Sequence, residues 1–170
     1  MMQRTVDVDA LFAEYNAALI RYLTRLTGDP DQAQDAAQES YLRMLTRPPA
    51  HSANLRAWLF TVATNVVRDH WRKQTPLREL MNGPQQAISS DPQPDPHAQL
   101  ERAERRQVVR RMLAKLSERE RTVLLMREEG FLHREIAEAV GTTTKSVGTM
   151  IARALRKLAG ELGPVGGTLS

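Results

Sequence analysis

The run from Ser117 to Leu158 constrains the fold of this 170-residue chain more than any other segment. Apolar residues recur in it at spacings of three and four, which is typical of helices, and Gly130 and Gly141 interrupt the pattern. Ser117 and Glu120 have the spacing of a capping box at the start of the first helical stretch. Short helices separated by glycine turns predict a helix-turn-helix.

The last helix of this run has one apolar side and one basic, hydroxyl-rich side. We expect it to follow a short helix from His133 to Val140, to be capped by Thr143 or Thr144, and to bury Val147, Ile151, Leu155 and Leu158. A basic helix at this place is suited to the major groove of duplex DNA, whereas the plainer alternative is a helical hairpin with a solvated face. The predicted DNA contacts are Arg134, Thr144, Lys145, Ser146, Thr149 and Arg153, with Arg156 and Lys157 further along the same side.

The first 75 residues predict three amphipathic helices that form one small bundle. The first spans Asp9 to Thr27 and ends at Gly28, and the second follows Asp29 and Pro30 and ends near Leu45. The third spans Asn54 to Lys73, and its expected buried face is Trp58, Leu59, Val62, Val66 and their neighbours.

Residues 76–97 are rich in proline and acidic, and we interpret them as a flexible linker. Helical periodicity resumes near Ala98 with Leu100, Val108, Met112, Leu113 and Leu116. We therefore predict an all-α fold with two small helical domains. Its expected parts are a bundle at 1–75, the linker at 76–97, a helix-turn-helix domain at 98–162 and a disordered tail at 163–170.

Composition excludes several classes of protein. The chain has no cysteine, no apolar run near the length of a membrane span and no signal peptide, so we expect a cytoplasmic protein without membrane insertion. Residues 98–170 carry 14 Lys/Arg against 9 Asp/Glu, which suits either a polyanion partner or an ordinary solvated surface. The four histidines are scattered, and no phosphate-binding glycine loop is present. We therefore expect no bound metal, no cofactor and no enzymatic activity.

Two further stretches carry a family resemblance. LFAEYNAALIRYLTRLTGDPDQAQDAAQESYLRML and NLRAWLFTVATNVVRDHWRKQ resemble region 2 of bacterial RNA polymerase sigma factors of the extracytoplasmic function (ECF) type. LAKLSERERTVLLMREEGFLHREIAEAVGTTTKSVGTMIARALRKL resembles their region 4. The resemblance covers about residues 8–75 and 98–160, in the order of the family.

The resemblance implies a sigma factor that directs core RNA polymerase to promoters and helps to melt the −10 element. Its partners would be the β′ clamp helices and β flap of the polymerase, promoter DNA as duplex and as melted single strand, and an anti-sigma factor. The recognition helix would bind the −35 element as duplex. The expected polymerase contacts are Asp35, Gln38, Glu39 and Arg43.

Capture of the melted −10 strand is assigned by the same resemblance to the third helix and the loop before it. The residues expected there are His51, Ser52, Asn54, Asn65, Arg68 and Arg72. Trp58 follows the apolar face and is expected in the core, while Trp71 is left open between the core and stacking on a base.

The chain departs from the family at Gly148 and Met150 of the recognition helix, which leaves the −35 contacts open. Gly148 also costs about 1 kcal/mol relative to alanine inside a helix, and it either permits close approach to a backbone or is tolerated. Two alternatives stay open. One is a sigma-like decoy that sequesters an anti-sigma factor, and the other is a simple helix-turn-helix transcription regulator.

Overall fold

The computed structural model of the chain describes residues 6–50, 54–81 and 96–161, and within these ranges it contains helices and no strand. The helices are α1 (Val8–Thr27), α2 (Pro30–Thr46), α3 (Leu55–Met81), α4 (Pro96–Ala114), α5 (Glu118–Glu128), α6 (His133–Val140) and α7 (Thr144–Glu161). The chain divides into two compact units, Met1–Ala87 (unit 1) and Ile88–Ser170 (unit 2). The all-α prediction is confirmed. No helix in the described ranges is both long enough and apolar enough to cross a membrane.

Local capping residues set the ends of the first two helices. Asp7 Oδ1 accepts a hydrogen bond from the Ala10 N–H at 3.0 Å at the start of α1. Gly28 ends that helix with a φ of 73°, a left-handed conformation that glycine adopts without a steric cost. Asp29 Oδ1 then accepts from the Asp31 N–H at 2.9 Å, and Pro30 occupies the first turn of α2.

Helix α3 buries a different stripe from the one predicted. Its buried apolar residues are Leu59, Phe60, Ala63, Val67 and Trp71, whereas Trp58, Val62 and Val66 are only half-buried. The prediction identified the apolar side of α3 but not which of its residues are most buried. The contacts with α1 and α2 decide which part of that side is covered. Two of these contacts are made by Tyr22 of α1, whose hydroxyl lies 2.7 Å from Thr64 Oγ1 and whose ring centroid lies 5.3 Å from that of Phe60.

Helix α3 also continues beyond the predicted end at Lys73, reaching Met81. The linker was predicted to begin at Pro76, but the bias of the residue before a proline away from helical backbone is a preference that this helix overrides. Residues 76–81 and 96–97, predicted as linker, are therefore helical. The rest of the predicted linker up to residue 95 and the predicted tail at 163–170 lie outside the described residues.

In unit 2, helices α5, α6 and α7 pack against one another, and α4 buries little. Leu113 at the end of α4 and Leu116 after it are buried, but Leu100 and Val108 are exposed, contrary to the predicted pattern. The earlier turns of α4 are exposed, and α4 makes no extensive contact with another helix among the described residues. The apolar periodicity of α4 therefore predicts that the segment is helical, but it does not predict that the apolar residues are buried.

Candidate nucleic-acid interface

The turn before α7 is fixed by glycine and by hydroxyl capping. Gly141 has a φ of 70° and closes α6 by donating its N–H to the Ala137 carbonyl. Thr143 Oγ1 accepts from the Ser146 N–H at 3.2 Å and donates to Ser146 Oγ at 2.9 Å. Thr143 therefore caps α7, and the Ser146 hydroxyl, one of the predicted DNA contacts, belongs to the same network.

The predicted contacts on α7 share one exposed side. Thr144, Lys145, Thr149 and Arg153 are all exposed, and we refer to these four as the recognition face. Lys145, Thr149 and Arg153 are four residues apart and so lie along one stripe of the helix. Thr149 Oγ1 donates to the Lys145 carbonyl at 3.4 Å, which leaves its oxygen lone pairs outward. Arg134, the remaining predicted contact, is exposed on α6.

The electrostatic setting of this face favours an anion. The first turn of α7 has no acidic residue, so its N-terminal partial positive charge is not opposed by its own side chains. Within the described residues, Lys145, Arg153 and Arg134 enter no ion pair. Backbone amides and cations near one helix terminus are the groups that bind phosphate oxygens.

The buried side of α7 differs from the prediction at three residues, one of which is Leu158, which is only half-buried. Val147, Ile151 and Ala154 are buried, whereas Leu155 is exposed. Ala154 takes its place because the small side chain lets α7 approach the neighbouring helices closely. Lys157, predicted on the side of the DNA contacts, instead binds Glu120 of α5, with its Nζ 2.8 Å from Oε2 and 3.0 Å from Oε1.

Glu120 is the most buried charged group described in unit 2. Its side chain is 6% exposed, and one of its carboxylate oxygens also accepts from the Ser117 N–H at 2.9 Å. The Ser117 hydroxyl accepts in return from the Glu120 N–H, which completes the capping box predicted from the sequence. The Lys157 hydrogen bonds, joined by those of Ser117, lower the pKa of Glu120 against the opposing effect of burial, so the carboxylate stays ionised at neutral pH.

Unit 1 carries the second set of predicted DNA contacts on α3. Asn65 and Arg68 are half-buried, and Arg72 is exposed with its Nη1 4.0 Å from Asp69 Oδ1. Such an exposed ion pair is weak and yields easily to another anion. Asn54 caps α3 by accepting from the Ala57 N–H at 3.0 Å, while His51 and Ser52 lie outside the described residues.

The structure contradicts the expectation for Trp58 and decides the open question for Trp71. Trp71 is 5% exposed and belongs to the core, whereas Trp58, expected in the core, is half-buried. Both lie on α3, and the apolar pattern of the sequence favoured Trp58 for the core. The ring that could stack on a base is therefore that of Trp58.

The predicted polymerase contacts lie together on α2. Asp35, Gln38 and Glu39 are exposed, and Arg43 Nε lies 3.1 Å from Glu39 Oε1 one turn away. A groove of about 230 Å³ between α2 and α3 adjoins them and is lined by Gln32, Asp35, Ala36, Glu39, Val66, Val67 and His70.

Sequence reasoning missed two exposed leucines on α2. Leu42 is 55% exposed and Leu45 is 62% exposed. Their signal was present in the sequence, because both fall outside the Ala33, Ala37, Tyr41 and Met44 stripe that faces the core. Large apolar side chains next to charged ones are typical of a protein-binding surface.

Comparison with known proteins identifies the units one by one. The family model described as Sigma-70 region 2 matches residues 11–76, and the one described as Sigma-70, region 4 matches residues 106–158. The two units therefore define a protein of the Sigma-70 class, with the helix-turn-helix in region 4.

The relatives give the particular family. ECF RNA polymerase sigma factor SigL of Mycobacterium tuberculosis is 35% identical over 161 residues, which cover 91% of this chain and 89% of SigL. RNA polymerase sigma factor YlaC of Bacillus subtilis is 26% identical over 92% of each chain. The chain belongs to the ECF RNA polymerase sigma factors.

Two solved structures have the same fold. One is the sigma factor RpoE in complex with the anti-sigma factor NepR from Bartonella quintana, with a TM-score of 0.73 and 21% identity over 92% of this chain and 96% of that one. The other is CnrH in complex with the cytosolic domain of CnrY, with a TM-score of 0.66 and 25% identity over 93% of this chain and 88% of that one.

Proposed function

We propose that this chain directs core RNA polymerase to specific promoters and helps to melt the downstream (−10) element. The observation that carries the proposal is the recognition face of α7, whose cations have no ion-pair partner among the described residues and which lies beside an uncompensated helix N-terminus. The role needs no enzymatic activity and no cofactor of its own, and it is exercised in the cytoplasm together with the polymerase.

The upstream (−35) element is read as duplex by unit 2. Helix α7 lies in the major groove, where Lys145 and Arg153 bind phosphates or guanine edges and Thr149 reaches a base or a phosphate oxygen. Arg134 on α6 binds the neighbouring phosphate strand. Thr143 fixes the first turn of α7 before DNA binds, because its hydroxyl accepts a hydrogen bond from the Ser146 N–H.

The downstream element is captured as a single strand by unit 1. Arg68 and Arg72 supply a cationic track along α3, and the half-buried Trp58 offers a stacking surface. Asn54 belongs to the proposed pocket as well as to the start of α3, where its side-chain carbonyl accepts from the Ala57 N–H. His51 and Ser52 complete the pocket by resemblance alone.

Core polymerase binds unit 1 through α2. Asp35, Gln38, Glu39 and Arg43 supply the polar contacts, and the exposed Leu42 and Leu45 supply apolar area beside them. An anti-sigma factor is a further partner, as in the complexes of RpoE with NepR and of CnrH with CnrY.

Run-off transcription tests the proposal. Core polymerase with and without the full chain is supplied with duplex fragments that the reconstituted holoenzyme has enriched from a randomised library. We expect specific transcripts only when the chain is present. A chain that binds core polymerase yet gives no specific transcript would favour the decoy alternative.

Charge reversal on α7 tests the assignment of the upstream contacts. We expect Lys145→Glu and Arg153→Glu each to weaken holoenzyme binding to the enriched upstream element about ten-fold or more, because an attraction to phosphate or guanine becomes a repulsion. Binding to core polymerase should stay unchanged.

The matched control is Lys115→Glu, which makes the same change of charge at an exposed site of unit 2 outside the recognition face. If Lys115→Glu weakens DNA binding as much as the α7 variants, the effect is one of net charge and the face has been misassigned.

A further inference from the structure

Two consecutive residues in the first turn of α5 contact the chain at either end of α7, one just before the turn that precedes it and one in its later turns. Arg119 Nη2 donates to the Val140 carbonyl at 3.0 Å, at the last residue of α6 before the turn that leads to α7. Glu120 binds Lys157 near the other end of α7, 37 residues away in sequence. We refer to these contacts as the α5 anchor.

The apolar packing of α7 does not by itself fix its last turns. Its buried residues Val147, Ile151 and Ala154 all precede residue 155, and Leu158 is only half-buried. Beyond Ala154 the interhelical contact with defined geometry is the Lys157–Glu120 ion pair, with both carboxylate oxygens engaged. Charged hydrogen bonds of this kind are directional, whereas contacts between small apolar side chains permit sliding and rotation.

We propose that Glu120 and Lys157 are positioning residues that set the angle at which α7 enters the DNA groove, with Arg119 fixing the preceding turn. Lys157 is then not a phosphate contact, although it is a cation on the recognition helix. The Arg119 contact also satisfies a carbonyl at the end of α6, where the helix has no further N–H to offer. The inference rests on the proposed reading of the upstream element by α7.

The experiment compares Lys157→Met, Glu120→Gln and the double variant in holoenzyme made from the full chain. The probes are a duplex with the upstream sequence that the wild-type holoenzyme enriches and a duplex with that sequence shuffled. We expect each single variant to reduce the affinity ratio between the two probes by roughly three- to thirty-fold. The double variant should lose no more than the worse single variant, and Lys157→Arg should recover most of the ratio.

Salt dependence separates positioning from direct contact. A positioning role leaves the slope of log affinity against log salt unchanged, whereas loss of a phosphate contact lowers it by about 1. A phosphate contact would also make Lys157→Met weaken both probes alike and make Glu120→Gln harmless, and either result would overturn the proposal. Lys115→Met is the matched control, because it removes the same charge at an exposed site of unit 2 that lies outside the recognition face and enters no ion pair among the described residues.

Two further readouts keep the outcomes distinct. Circular dichroism at the assay temperature verifies that each variant is folded, and the double variant leaves no buried charge unpaired if Lys157→Met alone proves unstable. If wild-type holoenzyme has no preference between the probes, the proposed function fails and the positioning role with it. If the wild type discriminates and folded variants discriminate equally well, only the α5 anchor is overturned.

Discussion

The two units are held together by different kinds of contact. Unit 1 buries large side chains completely, among them Tyr22, Phe60 and Leu19, and adds a buried hydroxyl pair between Tyr22 and Thr64. Unit 2 completely buries aliphatic side chains, among them Met126, Ile136 and Val123, and ties its helix ends with charged groups. Arg121 of α5, for example, donates from Nε to the Leu113 carbonyl at 3.1 Å. We infer that the packing of large buried side chains determines the structure of unit 1. In unit 2, directional polar contacts determine the orientation of α7.

The largest effect should follow from opening a cavity in unit 1. Phe60 is fully buried, so Phe60→Ala should lower the free energy of unfolding by about 3–5 kcal/mol. The measurement is calorimetry on the full chain, where the transition of unit 1 should shift and that of unit 2 should stay.

Phe12→Ala is the matched control, because Phe12 is 50% exposed and should cost less than half as much. If Phe60→Ala does not fold, Phe60→Leu is used in its place, because leucine keeps most of the side-chain volume. It should lower the free energy of unfolding less than Phe60→Ala but still more than Phe12→Ala. If Phe12→Ala and Phe60→Ala lower the free energy of unfolding equally, the packing of buried side chains does not explain the stability of unit 1, and the contrast with unit 2 fails.

An intermediate effect should follow from loss of a helix cap. Comparing one cap from each unit sharpens the contrast between the units. Ser117→Ala and Asp29→Ala each remove a side-chain acceptor from a helix start and should cost about 1 kcal/mol. We expect Ser117→Ala to be the costlier change, since the same box orients Glu120 towards Lys157. Urea unfolding followed by circular dichroism measures both. If Asp29→Ala lowers the free energy of unfolding more than Ser117→Ala, polar contacts are not more important in unit 2 than in unit 1.

The smallest effect concerns Gly148 and has the opposite sign. A Cβ atom at this position would meet nothing within 4 Å, so the fold of unit 2 does not require glycine there. Gly148→Ala should therefore stabilise unit 2 by about 0.5–1 kcal/mol by favouring helical backbone. If DNA approaches α7 closely at this point, the same change should weaken binding to the enriched upstream duplex.

Gly160→Ala is the control for Gly148, because Gly160 lies in the last turn of α7 and also has open space at Cβ. It should leave DNA affinity unchanged. If Gly148→Ala is both more stable and equally tight in binding, the glycine is merely tolerated.

Helices, caps and turns were predictable from the sequence because they depend on neighbours within a few residues. The Ser117–Glu120 box, the Gly28 and Gly141 terminations and the bounds of α6 were confirmed for this reason. The family was predictable too, because its motifs are contiguous stretches of sequence.

Side-chain environments that depend on a distant partner were not predictable. The local pattern favoured Trp58 over Trp71 for the core, whereas the packing of α3 against α1 and α2 buries Trp71 and leaves Trp58 half-buried. Lys157 looked like part of a basic face because its partner, Glu120, is 37 residues away. Leu155 and Ala154 are adjacent, and the closeness of α7 to its neighbours decides which is buried.

The aromatic residues are divided unequally between the units, and this has an optical consequence. Both tryptophans, Trp58 and Trp71, and all three tyrosines lie in unit 1, whereas the aromatic residue of unit 2 is Phe131. Tryptophan emission excited near the red edge of protein absorption therefore reports unit 1 alone in the unlabelled chain. Quenching or a spectral shift on adding single-stranded DNA would be assigned to α3 without mutagenesis, and a new tryptophan in α7 would make unit 2 visible separately.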